Sequence, residues 1–277
     1  RRGRGQGNHG IDKKHKMRKI KLRCQSASYD IVIGQKVLSS VGRLLKPLRL
    51  GPKVLIVTNR RIAKYHLAAV RKSLRAAGFQ VTEHHLPNGN ERDKSQKVLN
   101  GIWQKMSRIP LERDSTVLAL GGGVVGDIAG FAASTYMRGI NLVQVPTTLL
   151  AQVDSAIGGK TAINLDVAKN ILGAFYQPRM VITDVRTLGS LVQERGIDGR
   201  QEIRNSLAEV IKYGVILDPA LFHLLERRSI EFSKRLTARQ LKNEDFTFLE
   251  TLVWRSAKAK AWVVSHDEYE TKGLRMI

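Results

Sequence analysis

Between residues 116 and 177 the sequence places glycine turns beside hydroxyls, amides and cations, the groups that hold phosphates and polyols. Gly121, Gly122 and Gly123 follow an apolar run from Thr116 to Leu120 and precede Val125, Ile128, Ala129, Ala132, Ala133 and Tyr136 at helical spacing. A strand, a glycine turn and a helix start make an anion site. Phosphate can approach a backbone without Cβ atoms, and the helix N-terminus presents N–H groups that lack intrahelical partners. Gly121, Gly123 and Gly126 satisfy the GxGxxG spacing. The acid expected about twenty residues later for a ribose is absent from Asn141–Pro146. On these glycines alone a tight turn and a nucleotide cradle both stand.

The same pattern repeats downstream. Pro146, Thr147 and Thr148 close a second apolar run, Asp154 lies in apolar company, and Gly158-Gly159 leads into Lys160 and Thr161. Lys169 and Asn170 follow, then a Gly173–Pro178 turn. Each alone reads first as an ordinary loop with a surface lysine. Glu209 and Lys212 stand three apart on a predicted helix and so share a face; a surface ion pair and a metal ligand beside a substrate lysine both fit that spacing.

The elements that must carry these groups alternate. Strands are predicted at 29–34, 54–57, 81–86, 116–120 and 142–145, and helices at 37–45, 62–74 and 98–106, the arrangement of a parallel sheet with crossovers. In such sheets ligands lie beyond the strands' carboxyl ends, which points to Asn59 and to the turn from Gly89 to Lys94. After residue 185 helical periodicity dominates, at 207–217, 219–228 and 248–264. The expectation is a basic disordered arm at 1–23, an α/β nucleotide domain at 24–188 and a mostly helical, incomplete domain at 189–277, with 192–200 a surface insertion between them. The formal net charge is +23, and the arm holds ten Lys/Arg and one acid, Asp12. A solvated tail, an RNA- or membrane-attracted arm and a transit-peptide remnant compete for it. Cys24 is the single cysteine, which excludes an intrachain disulfide, and no apolar run reaches the length of a membrane helix.

Taken together, GGGVVGD (121–127), Arg138-Gly139, QVPTTLLAQVDSAIGGKT (144–161), Lys169-Asn170, GAFYQP (173–178) and Ser206–Gly214 resemble the 3-dehydroquinate synthases, and more widely the sugar-phosphate cyclases. The resemblance implies a Rossmann-like NAD domain followed by a helical domain, with the active site between them. It implies NAD held by Asn59, Gly89, Glu91, Lys94, Gly122, Gly123, Val124, Val125, Gly126, Asp127, Thr147, Thr148, Lys160, Lys169, Thr187 and Leu188. It implies substrate contacts from Arg138, Asp154, Lys160, Asn170, Lys212, Lys260 and Arg275, and a divalent metal, zinc or cobalt, on Glu209. The implied reaction is a lyase step of the shikimate pathway toward chorismate and the aromatic amino acids. It converts 3-deoxy-D-arabino-heptulosonate 7-phosphate to 3-dehydroquinate and phosphate by transient oxidation, elimination, reduction and aldol closure. The implied setting is a cytoplasmic homodimer, or the plastid stroma in a photosynthetic eukaryote, with no membrane and with nucleic acid only through the basic arm. Departures from the family pattern are one added residue at Gly89-Asn90-Glu91, and Ala162 and Ala168 in place of glycines. The family's two metal-binding histidines would fall past residue 277, and His266 is the one tempting substitute, although a solvated acidic turn explains it better. The expectation is a C-terminally short chain that tends to aggregate. The alternatives are another sugar-phosphate cyclase, or an inactive homologue that binds anions or RNA.

Overall fold

The computed structural model describes residues 17–238 and 241–274; the expected arm over 1–16 and the site residue Arg275 lie outside the described residues. Seven strands form one sheet in the order β1 (Arg18–Arg23), β2 (Ser28–Gly34), β9 (Met180–Asp184), β6 (Asn141–Pro146), β5 (Thr116–Gly121), β3 (Lys53–Asn59) and β4 (Gln80–Leu86). β1 is antiparallel to β2 and the other pairings are parallel. The central strands are buried on both faces, as a parallel sheet with crossovers requires. Leu55 and Val57 of β3 join one core with Val117 and Ala119, while Val54 and Ile56 join the opposite core with Leu118 and Leu120. This is the period-two alternation of a pleated strand.

α1 (Val41–Leu45), α2 (Arg60–Ile62) and α3 (Ala68–Ala76) follow the first parallel strands, and α4 (Gln96–Arg108) and α5 (Gly123–Thr135) cover the other face. α6 (Thr187–Arg195), α7 (Ile197–Ile216), α8 (Pro219–Thr237) and α9 (Asn243–His266) share a third core with β1, β2 and β9. No helix among the described residues is long and apolar enough to cross a membrane.

Three readings change. Residues 18–23 are an edge strand and not part of an arm. Leu22 is buried and Ile20 half-buried, while Lys19 and Lys21 reach Asp30 across the pair at 3.9 and 3.3 Å. The charge run conceals a period-two pattern, and lysines on an exposed edge discourage pairing with another chain. Residues 192–200, expected as a surface insertion, are helical on either side of a turn at Gly196 with φ 55° and join α6 to α7. The segment around Lys160 and Lys169 is a hairpin, β7 (Lys160–Leu165) with β8 (Ala168–Phe175), laid over α5. Ala162 and Ala168 sit on its strands with φ outside the left-handed region, so alanine costs nothing there.

Gln152, fully buried, ties the carboxyl ends of the strands to the helical half. Its Nε2 lies 3.2 Å from the Pro146 carbonyl, 3.2 Å from the Asp184 carbonyl and 3.0 Å from Thr187 Oγ1. Gln152→Ala should cost about 3 kcal/mol through lost hydrogen bonds and a cavity, read as a lowered urea midpoint with unchanged slope. A midpoint equal to wild type would show that the tie carries no stability.

Candidate active site

The chain passes from β3 outward to β4 and then returns to the other side of β3 for β5. In doubly wound sheets ligands bind at such a reversal, outside the strands' carboxyl ends. A cavity of about 280 Å³ opens there. Asn59, at the end of β3, and Gly122 and Gly123, at the end of β5, line it together with Thr147 and Thr148 after β6. Gly122 caps α5 in extended geometry and offers no side-chain acceptor, so the first N–H groups of α5 face the cavity without a capping oxygen. A Cβ at Gly122 would stand 2.8 Å from Thr148 Cγ2, and one at Gly123 would stand 3.1 Å from Ser155 Oγ. The cradle therefore admits backbone approach only while both remain glycine.

Val124, Val125, Gly89 and Glu91 complete the expected lining. The added residue in the 89–91 turn is absorbed locally. Gly89 takes φ 66°, and the buried Asp93 carboxylate accepts hydrogen bonds from the Asn88 and Gly89 N–H groups. Glu91 keeps its place at the cavity. Arg61, Tyr65, His66, Ser190 and Arg195 also line it and were not expected. His66 lies 2.7 Å from Ser190 Oγ, and burial pulls its pKa down to about 4, so it is neutral. Periodicity alone marks these residues as a helix face, and only the return of α6 over the cavity makes them lining.

A second cavity of about 450 Å³ lies under the hairpin. Asp127, Asp154, Lys160, Asn170 and Lys260 line it, joined by the unexpected Glu270. Lys260 Nζ, from α9, is 2.6 Å from Asp154 Oδ1, and the Tyr213 hydroxyl of α7 donates to the same oxygen at 2.8 Å. Burial by itself would raise the Asp154 pKa; Lys260, Tyr213 and Lys212 outweigh it and hold the carboxylate below its ordinary range. Lys160 pairs with Glu270.

Between the cavities lies Lys94, 4% exposed, its Nζ 2.7 Å from Asp127 Oδ2 and bonded to Asn170 Oδ1. Burial raises the Asp127 pKa in spite of this cation. Lys94 therefore lines neither cavity, since its side chain threads between them. Gly126 is turned to Gln144, whose Nε2 donates to its carbonyl at 3.2 Å. Thr187 and Leu188 are buried and line neither cavity, and Thr187 is held by Gln152. Lys169 is exposed on β8, and Arg138 is exposed at φ 66°; neither lines a cavity.

Glu209 and Lys212 form an ion pair at 2.6 Å. Among the described residues no three His, Cys, Asp or Glu side chains group closely enough to hold a metal ion. The residues described do not by themselves fit a metal centre, and Glu209 is a lone carboxylate partnered by a lysine. His266 contacts Trp262, and its neighbours Asp267 and Glu268 are buried, with Asp267 accepting from the backbone N–H groups of Thr271 and Leu274. The acidic turn is thus a structural one and not a solvated one.

Residues 84–198 match the family description "3-dehydroquinate synthase N-terminal", and residues 206–277 match "3-dehydroquinate synthase C-terminal". A 3-dehydroquinate synthase of a Nostoc species is 47% identical over 258 residues, 93% of this chain and 67% of that protein. One from Rippkaea orientalis is 45% identical over 258 residues, 93% of this chain and 66% of that protein. The chain thus spans about two-thirds of the length of these curated relatives. Among solved structures, 2-epi-5-epi-valiolone synthase from Streptomyces hygroscopicus, with NAD+ and Zn2+ bound, superposes with a TM-score of 0.75 at 25% identity, covering 90% of this chain and 65% of that one. A 2-deoxy-scyllo-inosose synthase complexed with carbaglucose-6-phosphate, NAD+ and Co2+ superposes at 0.74 with 24% identity, covering 93% and 66%. With both family descriptions matched in order along the chain and nearly half of its residues shared with a full-length relative, the chain belongs to the 3-dehydroquinate synthase family.

Proposed function

We propose that the protein carrying this chain is a 3-dehydroquinate synthase, converting 3-deoxy-D-arabino-heptulosonate 7-phosphate to 3-dehydroquinate and inorganic phosphate. The observation that carries this reading is the ionised Asp154, held by Lys260 and Tyr213 at the seam of the two halves, in a cavity adjoining a glycine cradle. A redox-neutral phosphate elimination needs both: a dinucleotide cleft, and beside it a pocket that grips a polyol, a carboxylate and a phosphate. The 45–47% identity to enzymes of this name favours it over the valiolone and scyllo-inosose synthases at 24–25%.

In this reading the N–H groups of Gly123 and Val124 hold the pyrophosphate of NAD, Asn59 meets its adenosine side, and Thr147 and Thr148 meet its nicotinamide half. NAD supplies the hydride acceptor for a secondary alcohol and the hydride that is later returned. Lys160 binds an anionic end of the substrate, and Lys260 contacts the substrate while it stays paired with Asp154. Asp154, ionised across the neutral range, accepts hydrogen bonds from substrate hydroxyls and fixes which of them faces the dinucleotide cleft. Asn170, pinned by Lys94, orients the substrate under the hairpin. Lys212 lies close enough to Asp154 to act on its charge and extends the cationic rim. Arg138, Lys169 and Arg275 are proposed as further anion contacts that complete the pocket around bound substrate. A divalent metal is supported by the zinc and cobalt bound in the two cyclases. Glu209 is one carboxylate toward it, and the described residues do not complete the ligand set. A cytoplasmic homodimer suits this role.

The direct test is release of phosphate from 3-deoxy-D-arabino-heptulosonate 7-phosphate with NAD+ and Zn2+ or Co2+ present, with 3-dehydroquinate identified as the product. Turnover of a different sugar phosphate in its place would refute the assignment. Gly122→Val should weaken NAD+ binding at least tenfold, roughly the effect of putting a side chain where a phosphate meets backbone, with the melting temperature within a few degrees of wild type. Unchanged NAD+ affinity in that variant would remove the cradle from the binding site.

Lys260→Met should cost about 2 kcal/mol at pH 7, because Asp154 is left ionised and half its partners are gone. The pH dependence has a definite sign. In wild type the Asp154 pKa is depressed, so its stabilisation is present above the unfolded carboxylate pKa and is lost as pH falls through the folded value. In the variant burial dominates and the pKa rises, so protonation relieves the penalty, and the two stability curves should converge below about pH 4. A gap that stays constant from pH 7 to pH 4 would contradict the assignment of an ionised Asp154.

A further inference from the structure

Besides Lys94, a second side chain that lines neither cavity joins the two. Asn164 lies on β7 at an irregularity in the hairpin, between Ile163, which pairs with Leu172, and Leu165, which pairs with Ala168. Its backbone is released from the ladder, and its N–H donates instead to the Lys94 carbonyl at 2.8 Å. Its side chain then divides. Nδ2 donates to Glu91 Oε1 at 2.8 Å, on the wall of the first cavity. Oδ1 accepts the backbone N–H of Asn170 at 2.8 Å, on the wall of the second. Asn170 sits at φ 57°, a conformation that asparagine tolerates better than most residues but that still needs support. An irregularity in a strand pair is a device for re-aiming a side chain beside a site, and this one turns a single carboxamide to both walls at once.

We propose that Asn164 is a positioning residue that couples the two cavities, setting Glu91 for the cofactor and Asn170 for the substrate through the two ends of one amide. The proposal rests on the reading of the first cavity as the NAD cleft. A carboxamide is the side chain the arrangement calls for, because it must donate to a carboxylate and accept from an N–H. Lys94, whose carbonyl takes the Asn164 N–H and whose Nζ holds Asn170, completes a closed circuit: residues 91–94 cannot shift without moving the tip of the hairpin.

Two variants of the full chain separate the two ends. Asn164→Ala removes both bonds. Asn164→Asp keeps an acceptor for the Asn170 N–H and sets a second carboxylate against Glu91. NAD+ affinity is measured by isothermal titration and hairpin opening by amide hydrogen exchange over residues 168–175. Asn164→Ala should weaken NAD+ about tenfold, the effect of losing a hydrogen bond to a charged group, and should speed exchange in the hairpin by a similar factor. Asn164→Asp should weaken NAD+ at least as much while exchange stays within about twofold of wild type. If Asn164→Ala leaves both readouts unchanged, or if Asn164→Asp opens the hairpin as far as alanine does, the coupling is overturned. Failure of the wild-type chain to bind NAD+ would instead sink the cofactor reading, and the coupling with it. Should the alanine variant not fold, the aspartate variant alone decides, since only the divided role predicts lost NAD+ affinity with a closed hairpin.

Discussion

Helix α5 is packed on both sides, and most of the site follows from that constraint. Below it lies the sheet and above it the β7–β8 hairpin, and Val125, Ile128, Ala129, Ala132 and Ala133 are all buried. A helix this apolar belongs inside a protein, but it can be covered so closely on two sides only where Cβ atoms are missing. A Cβ at Gly130 would stand 2.5 Å from Thr161 Cγ2 of the hairpin, and one at Gly126 would stand 2.9 Å from Gln144 Oε1 of the sheet. The glycines that make the N-terminus of α5 an anion cradle are therefore continuous with the glycines that let the hairpin descend onto its flank. The two cavities are two consequences of one close-packed helix.

That packing also accounts for the buried charge. Asp127 leaves α5 on the side facing the hairpin, and Lys94 is drawn in to meet it, with Asn170 as its second close partner and Glu91 Oε1 farther off at 3.8 Å. A buried ammonium with one carboxylate and one amide is well matched, and removal of either partner would leave a desolvated charge. The arrangement is a poor source of net stability and a good source of specificity. It fixes the depth of residues 91–94 relative to the hairpin, and so the separation of the two cavities.

Much of this was legible in the sequence, and the limits have physical causes. The parallel strands announce themselves as short apolar runs, and the glycine cradle as a turn between a strand and a helix. The Asn59, Glu91, Thr147 and Asp154 positions came from the resemblance; the first three line one cavity and Asp154 the other. The edge strand at residues 18–23 was hidden because charge masks alternation when only Ile20 and Leu22 face inward. The hairpin was read as loops because its lysines and glycines are polar punctuation in one dimension; only contact with α5 buries Thr161 and Ile163 and makes a strand of them. Asn164, between two recognisable motifs, carried no signal of its own. Its role exists only once Glu91 and Asn170, far apart in sequence, are brought to either side of it.

Lys160 and Lys260 of the second cavity are already paired, and this bears on how an anion would enter. Lys260 and Asp154 are the more enclosed couple, with the lysine side chain 11% exposed and the carboxylate 27%. Lys160 and Glu270 are more open, at 51% and 28%. A solvated pair contributes little and is readily exchanged, whereas a desolvated pair resists separation. An incoming phosphate or carboxylate would therefore displace Glu270 from Lys160 and leave Asp154 in the grip of Lys260 and Tyr213. Under the proposed function, Lys160 would then serve as the adaptable anion receptor and Asp154 as the fixed reference for the substrate's hydroxyls. The pocket divides its charges between one pair that must open and one that must not, and the helical half supplies the pair that stays shut.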